Sequence, residues 1–134
     1  MTAIVDIEGI GPAYAEKLKA AGLMTTERLL TAGATKAGRE KIAADTGISE
    51  TLVLKWVNHA DLFRIKGVAG QYAELLEAAG VDTVVELSNR VPANLQPKLV
   101  ETNAAKKLVR QVPSLRQVET WVAEAKALGR RVEH

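Results

Sequence analysis

A chain of 134 residues is the size of one ordinary domain, or of two small ones sharing a core, and it needs no disulfide or metal staple to fold. With 47% hydrophobic and 25% charged residues, disorder, collagen-like repeats and a membrane-dominated chain are excluded, and without cysteine there is no disulfide, thiolate metal site or cysteine nucleophile. The net charge of +2 is too small to argue for nucleic acid or an anionic membrane by itself, so any basic site has to be local.

Aromatic residues are only 4% of the chain, so the core has to be built from Ala, Leu, Val and Ile, which helices tolerate best. Pro12 suits a first helical position, and Tyr14, Ala15, Leu18 and Ala21 follow at helical spacing. Gly22 supplies a left-handed C-terminal stop, with Leu23 as the hydrophobic residue after it. Thr25 starts a short helix, and Gly47 breaks the chain before a Ser49 cap. Leu52, Val53, Trp56, Val57, Ala60 and Phe63 then form one apolar stripe. Further on, Gly80 and Val81 repeat the helix stop, and Thr83 with Glu86 reads as a capping box for a helix through Asn89. Asn103 is expected to cap a helix that turns Ala105, Leu108, Val109 and Val112 to the core and Lys106, Lys107 and Arg110 to the opposite face. Pro113 marks the next break, and Val118, Trp121, Val122, Ala125 and Leu128 form a closing stripe after Ser114. No sustained period-two run calls for a sheet, so the expectation is an all-α fold of about eight to ten short helices.

The chain also resembles itself. At an offset of 58, eleven of the 24 positions from Ile7 to Leu30 are identical, including Gly9 with Gly67, Tyr14 with Tyr72 and Gly22 with Gly80. Trp56-Val57 meets Trp121-Val122 only at offset 65, which places seven extra residues between Ser88 and Ser114. The chain therefore reads as a duplicated unit, 1–64 and 65–134, with a seven-residue insertion in the second copy and both copies sharing one compact domain.

Ile7-Glu8-Gly9-Ile10-Gly11, followed by Ala15 and Leu18, resembles the hairpin and second helix of a helix-hairpin-helix motif. Ile65-Lys66-Gly67-Val68-Ala69 resembles a second, degenerate copy in which Ala69 replaces the second glycine. Together with Trp56 to Leu62, Asn103, Lys107 to Arg110 and Trp121-Val122, these residues resemble the domain-of-unknown-function family numbered four-three-three-two, over nearly the whole chain. The resemblance implies an all-α fold with paired helix-hairpin-helix repeats and says little about activity, although helix-hairpin-helix proteins often hold duplex DNA without reading its sequence.

In physical terms, Gly9 and Gly11 permit a tight turn at positive φ and let a phosphate approach the backbone N–H groups that open the next helix. Such a grip carries no base information. The candidate nucleic-acid-binding residues are Gly9, Ile10, Gly11 and Lys17 at the first hairpin, Arg64, Lys66, Gly67 and Val68 at the second, and Lys106, Lys107 and Arg110 beyond it. Asp6, Glu8 and Glu16 crowd the first hairpin with negative charge, whereas residues 98–117 carry a local net charge of +4, to which Arg130 and Arg131 can add.

Other chemistry finds little support. Tyr14 stands where a dinucleotide loop would need its third glycine, and there is no Walker-type loop. His59 and the terminal His134 are the only histidines, Asp61 beside His59 reads as surface polarity, and the acids are spread singly along helix faces, so neither a metal site nor a catalytic centre is expected. Tyr14 and Tyr72 are expected to pack in the core rather than stack on bases, as are Trp56 and Trp121. The expected protein is non-enzymatic and cofactor-free, binding duplex DNA or serving as a protein-interaction adaptor. No membrane partner or small-molecule substrate is expected, and its expected location is cytoplasmic, because no leader or 18-residue apolar run is present.

Overall fold

The structure, a computed structural model, describes residues 3–134. It is all-α among these residues. A 3-10 turn (Ile4–Asp6) precedes α1 (Pro12–Ala20), α2 (Thr26–Ala32), α3 (Lys36–Thr46), α4 (Glu50–Leu62), α5 (Gly70–Ala78), α6 (Val84–Ser88), α7 (Pro92–Lys106) and α8 (Leu115–Leu128). The chain divides into two compact units, Met1–Asp61 with Arg131–His134, and Leu62–Arg130.

In the first unit Ile4, Ile7 and Ile10 are buried, and the Ile7 and Ile10 N–H groups donate to the carbonyls three residues back. Gly9 stands at φ +91° in the turn so formed. Helix α1 stops as expected: Gly22 is left-handed at φ +83°, its N–H donates to Lys19 O, and the Leu23 N–H reaches back to Leu18 O at 2.8 Å. Thr25, Thr35 and Ser49 cap the next three helices, each side-chain oxygen accepting the N–H three residues on. On α4, Val53, Trp56, Val57 and Ala60 are buried as the stripe requires.

The first unit also corrects the sequence-based expectations in three places. His59 and Asp61 are not surface groups; with Asn58 they are buried, because every residue from 56 to 62 is covered and the last turns of α4 have no solvent face. Asn58 Oδ1 has no hydrogen-bond partner among the described residues. Tyr14 is not core: it is 36% exposed and meets Trp56 edge-on at 5.1 Å. Arg131 is not a free cation, since it donates to Glu27 and Thr31. Residues 131–134 return to the first unit, where buried Arg39 donates to Gly33 O, Ala34 O and Glu133 O, and the Glu133 N–H donates to Ala34 O at 2.7 Å.

The second unit repeats these local devices. Ile65 and Val68 N–H groups donate three residues back, Gly67 stands at φ +90°, and the Val81 N–H reaches Leu76 O at 2.8 Å. Thr83 and Ser114 cap α6 and α8. The core runs from Leu62 through Leu75, Leu76, Leu87, Leu95 and Leu99 to Trp121 and Ala125, with α8 packed on α6 and α7 and α5 packed on α7. Leu128, expected in the closing stripe, is 40% exposed at the end of α8.

The expected helix after Asn103 does not exist. Helix α7 begins at Pro92 and ends at Lys106, and Lys107 takes a left-handed φ of +52°. Asn103 acts as a clasp, accepting from the Val109 N–H at 2.9 Å and donating to Val109 O at 3.0 Å. Val109 thereby enters the core, Leu108 and Val112 pack at its edge, and Ala105 remains exposed. Relative to α3, α7 is longer (15 residues against 11), and six residues rather than one separate its left-handed end from the serine cap of the following helix.

Candidate nucleic-acid interface

The two turns that resemble hairpins in sequence each hold one glycine at positive φ. A φ near +90° is a conformation that side chains other than glycine rarely adopt, and Gly9 and Gly67 occupy it. The second glycine of the pattern is different: Gly11 lies at φ −81°, ψ 179°, and Ala69 at φ −122°, ψ −172°, both extended. The expectation of positive φ at Gly11 is therefore wrong, and Ala69 does not impair its turn. Ile10 and Val68 are buried plugs, contributing backbone rather than side chain to the hairpin surface.

Beneath each first glycine lies a tryptophan. A Cβ on Gly9 would stand 3.7 Å from Trp56 Nε1, and one on Gly67 3.5 Å from Trp121 Nε1. The surroundings differ. At the first hairpin Glu8 is half-buried, Asp6 and Glu16 are exposed, and the exposed Lys17 ammonium lies 6.0 Å from the centre of the Tyr14 ring. At the second, exposed Lys66 and Gly67 border a cleft of about 340 Å³ whose other wall is the first two turns of α8, with Ser114, Arg116, Thr120 and Trp121.

The cations of the second unit have unequal roles. Arg64 Nη2 donates to Gly129 O at 2.7 Å, so this guanidinium ties the start of the unit to its end instead of standing open at the hairpin. The Lys66 N–H donates to Glu124 Oε1 at 3.2 Å, while the Lys66 side chain is exposed. Lys106, Lys107 and Arg110 are all exposed but do not share a helix face, being respectively the last residue of α7, its left-handed cap and part of the following loop. That loop is bound to the second hairpin's helix: the Tyr72 O–H donates to Gln111 O at 3.1 Å, and Tyr72 lies 5.4 Å from Trp121. The structure thus brings Lys66, Gly67 and Arg116 to one cleft and fixes the residue next to Arg110 against α5, whereas Gly9, Ile10, Gly11 and Lys17 belong to the other unit.

Sequence reasoning missed Arg116 as a member of the hairpin mouth and Trp121 as anything but core. The available signal was the offset of 65, which places Trp121 on Trp56 and the cation Arg116 on uncharged Thr51. Among the described residues no cluster of three or more His, Asp or Glu side chains suits a metal ion, and no helix is long and apolar enough to cross a membrane.

Fold and hairpin geometry define an all-α protein of two small helical units, each with a glycine turn seated over a tryptophan. The family described as Domain of unknown function (DUF4332) matches residues 8–128, and the chain belongs to that family. No curated protein and no solved structure matches it.

Proposed function

We propose that the chain is a pair of helix-hairpin-helix units and that its second unit holds duplex nucleic acid by the phosphate backbone, without reading sequence and without catalysis. The observation that carries this reading is the mouth of the second hairpin, where Lys66 and Arg116 stand exposed around an open cleft beside the glycine turn. The first N–H groups of α5 lack intrahelical partners by construction, and a helix start beside two cations suits an anion. Arg110, Lys106 and Lys107 extend the positive field along the adjoining loop. With about three to five phosphates neutralised, the logarithm of affinity should fall with the logarithm of salt at a slope of roughly −3 to −4.5, whatever the base sequence.

A second reading, a protein-interaction adaptor, is favoured by one feature of the first unit. Exposed Val5 and Met24, with Pro12 and Ala15, line a groove of about 290 Å³. Titration of fluorescent duplex DNA of two unrelated sequences, at low and moderate salt, separates the readings. Duplex binding with the stated slope supports the first; none at about 50 mM salt, where electrostatic affinity is strong, leaves the adaptor.

A further inference from the structure

Trp121 is 3% exposed, yet its ring is one wall of the cleft beside the second hairpin, and no hydrogen bond joins its Nε1–H to any described residue. Buried tryptophans ordinarily place this N–H on an acceptor. Here Nε1 lies 3.5 Å from the point where Gly67 would carry a Cβ, so the missing side chain leaves the N–H uncovered. On the same cleft stand Lys66 and Arg116, both exposed, and Ser114, whose oxygen accepts the Gln117 N–H and whose proton remains available to donate. The wall is therefore built of donors. Glu124 Oε1 accepts the Lys66 N–H at 3.2 Å, so one carboxylate stands at the hairpin backbone, outside the residues that line the cleft.

We infer that this cleft holds one phosphoryl oxyanion, with the Trp121 indole N–H donating to a phosphate oxygen while Arg116 and Lys66 supply the countercharge. The inference rests on the nucleic-acid reading above for the source of the phosphate, and deepens it: one phosphodiester of the duplex sits in the cleft, and Gly67 serves to expose a donor as well as to turn the chain. The first unit is built otherwise. Trp56 lies under Gly9 in the same way, but Glu8 stands where the second hairpin has Lys66 and Thr51 where it has Arg116, so no comparable oxyanion site forms.

The test is nuclear magnetic resonance on the full chain labelled with nitrogen-15, its two indole signals assigned through bonds so that no variant is needed. Inorganic phosphate is titrated in one arm and a duplex of mixed sequence in the other, and duplex affinity is measured in parallel. The expected result is a saturable shift of the Trp121 Nε1–H signal in both arms, reversed by salt, with the Trp56 signal stationary. Arg116→Gln should weaken duplex binding about tenfold and reduce the salt slope by about 0.9, with the melting temperature unchanged because the residue is exposed. Duplex binding with a stationary Trp121 signal and unaltered Arg116→Gln affinity would overturn the inference and leave the functional reading on another surface. A Trp121 shift with phosphate but no duplex binding would uphold the oxyanion site and overturn the duplex as its source. No shift in either arm and no duplex binding would overturn both.

Discussion

The two units carry the same aromatic pair in different settings. Tyr14 meets Trp56 at 5.1 Å and Tyr72 meets Trp121 at 5.4 Å, each pair seated by a glycine turn at φ near +90°. In the first unit nothing covers Tyr14 to the same degree, and its ring is 36% exposed. In the second, the longer connection between α7 and α8 accepts a hydrogen bond from Tyr72 and brings exposed cations up to the hairpin's helix. Charge differs in the same sense: Glu8 in the first turn corresponds to Lys66 in the second, and Thr51 to Arg116, although Glu124 accepts the Lys66 N–H. A shared backbone turn therefore does not imply a shared ligand. The side chains around it, and the length of one loop, are what the proposed function rests on in assigning phosphate to the second unit alone.

The largest effects should be equal in the two units. Trp56→Ala and Trp121→Ala each remove a side chain at most 3% exposed, and each should cost about 3–5 kcal/mol by chemical denaturation. A cost confined to one of them would break the equivalence of the two tryptophans. Arg39→Gln should cost about 2–3 kcal/mol, because three carbonyls in the first unit lose a charged donor, and it should speed hydrogen exchange at the Glu133 amide. Arg39 makes none of these bonds within the second unit, so the amides there should exchange unchanged. Gly9→Val and Gly67→Val should each lower stability by about 1–3 kcal/mol, since a β-branched residue is strained at φ near +90°. An unchanged melting temperature at either position would mean that its turn is not the one described.

The smallest effect sharpens the comparison most. Tyr72→Phe should cost about 0.5–1.5 kcal/mol by removing the hydrogen bond to Gln111 O, whereas Tyr14→Phe should cost close to nothing. Equal costs in thermal melting would deny the loop its hold on α5.

Much of this fold is local enough to be legible in sequence. The helix stops at Gly22 and Gly80 and the caps at Thr25, Ser49, Thr83 and Ser114 each act within a few residues, and the structure places them as their spacing predicts. What was illegible depends on distant contacts. His59 and Asp61 are polar and read as surface residues, yet they are buried, and the Arg39 side chain is held by Glu133 O, 94 residues away. The helix expected after Asn103 failed because Lys107 adopts a left-handed conformation without glycine, and a side-chain clasp to Val109 then replaces helical bonds. For the site, the hairpin glycines and Lys66 could be named in advance, but Arg116 reaches the hairpin only through packing of α8 within its unit.

The central claim is that phosphate recognition belongs to the second hairpin's mouth and not to net charge. Lys66→Glu with Arg116→Glu tests it directly against Lys17→Glu with Lys19→Glu, a change of equal charge on exposed residues of the first unit's α1. Duplex affinity at about 50 mM salt is the quantity to measure, with melting temperature as the check on folding. The account predicts that the first pair lowers affinity by at least about a hundredfold and the second by no more than a fewfold. Equal losses from the two pairs would contradict it, because only total charge would then matter.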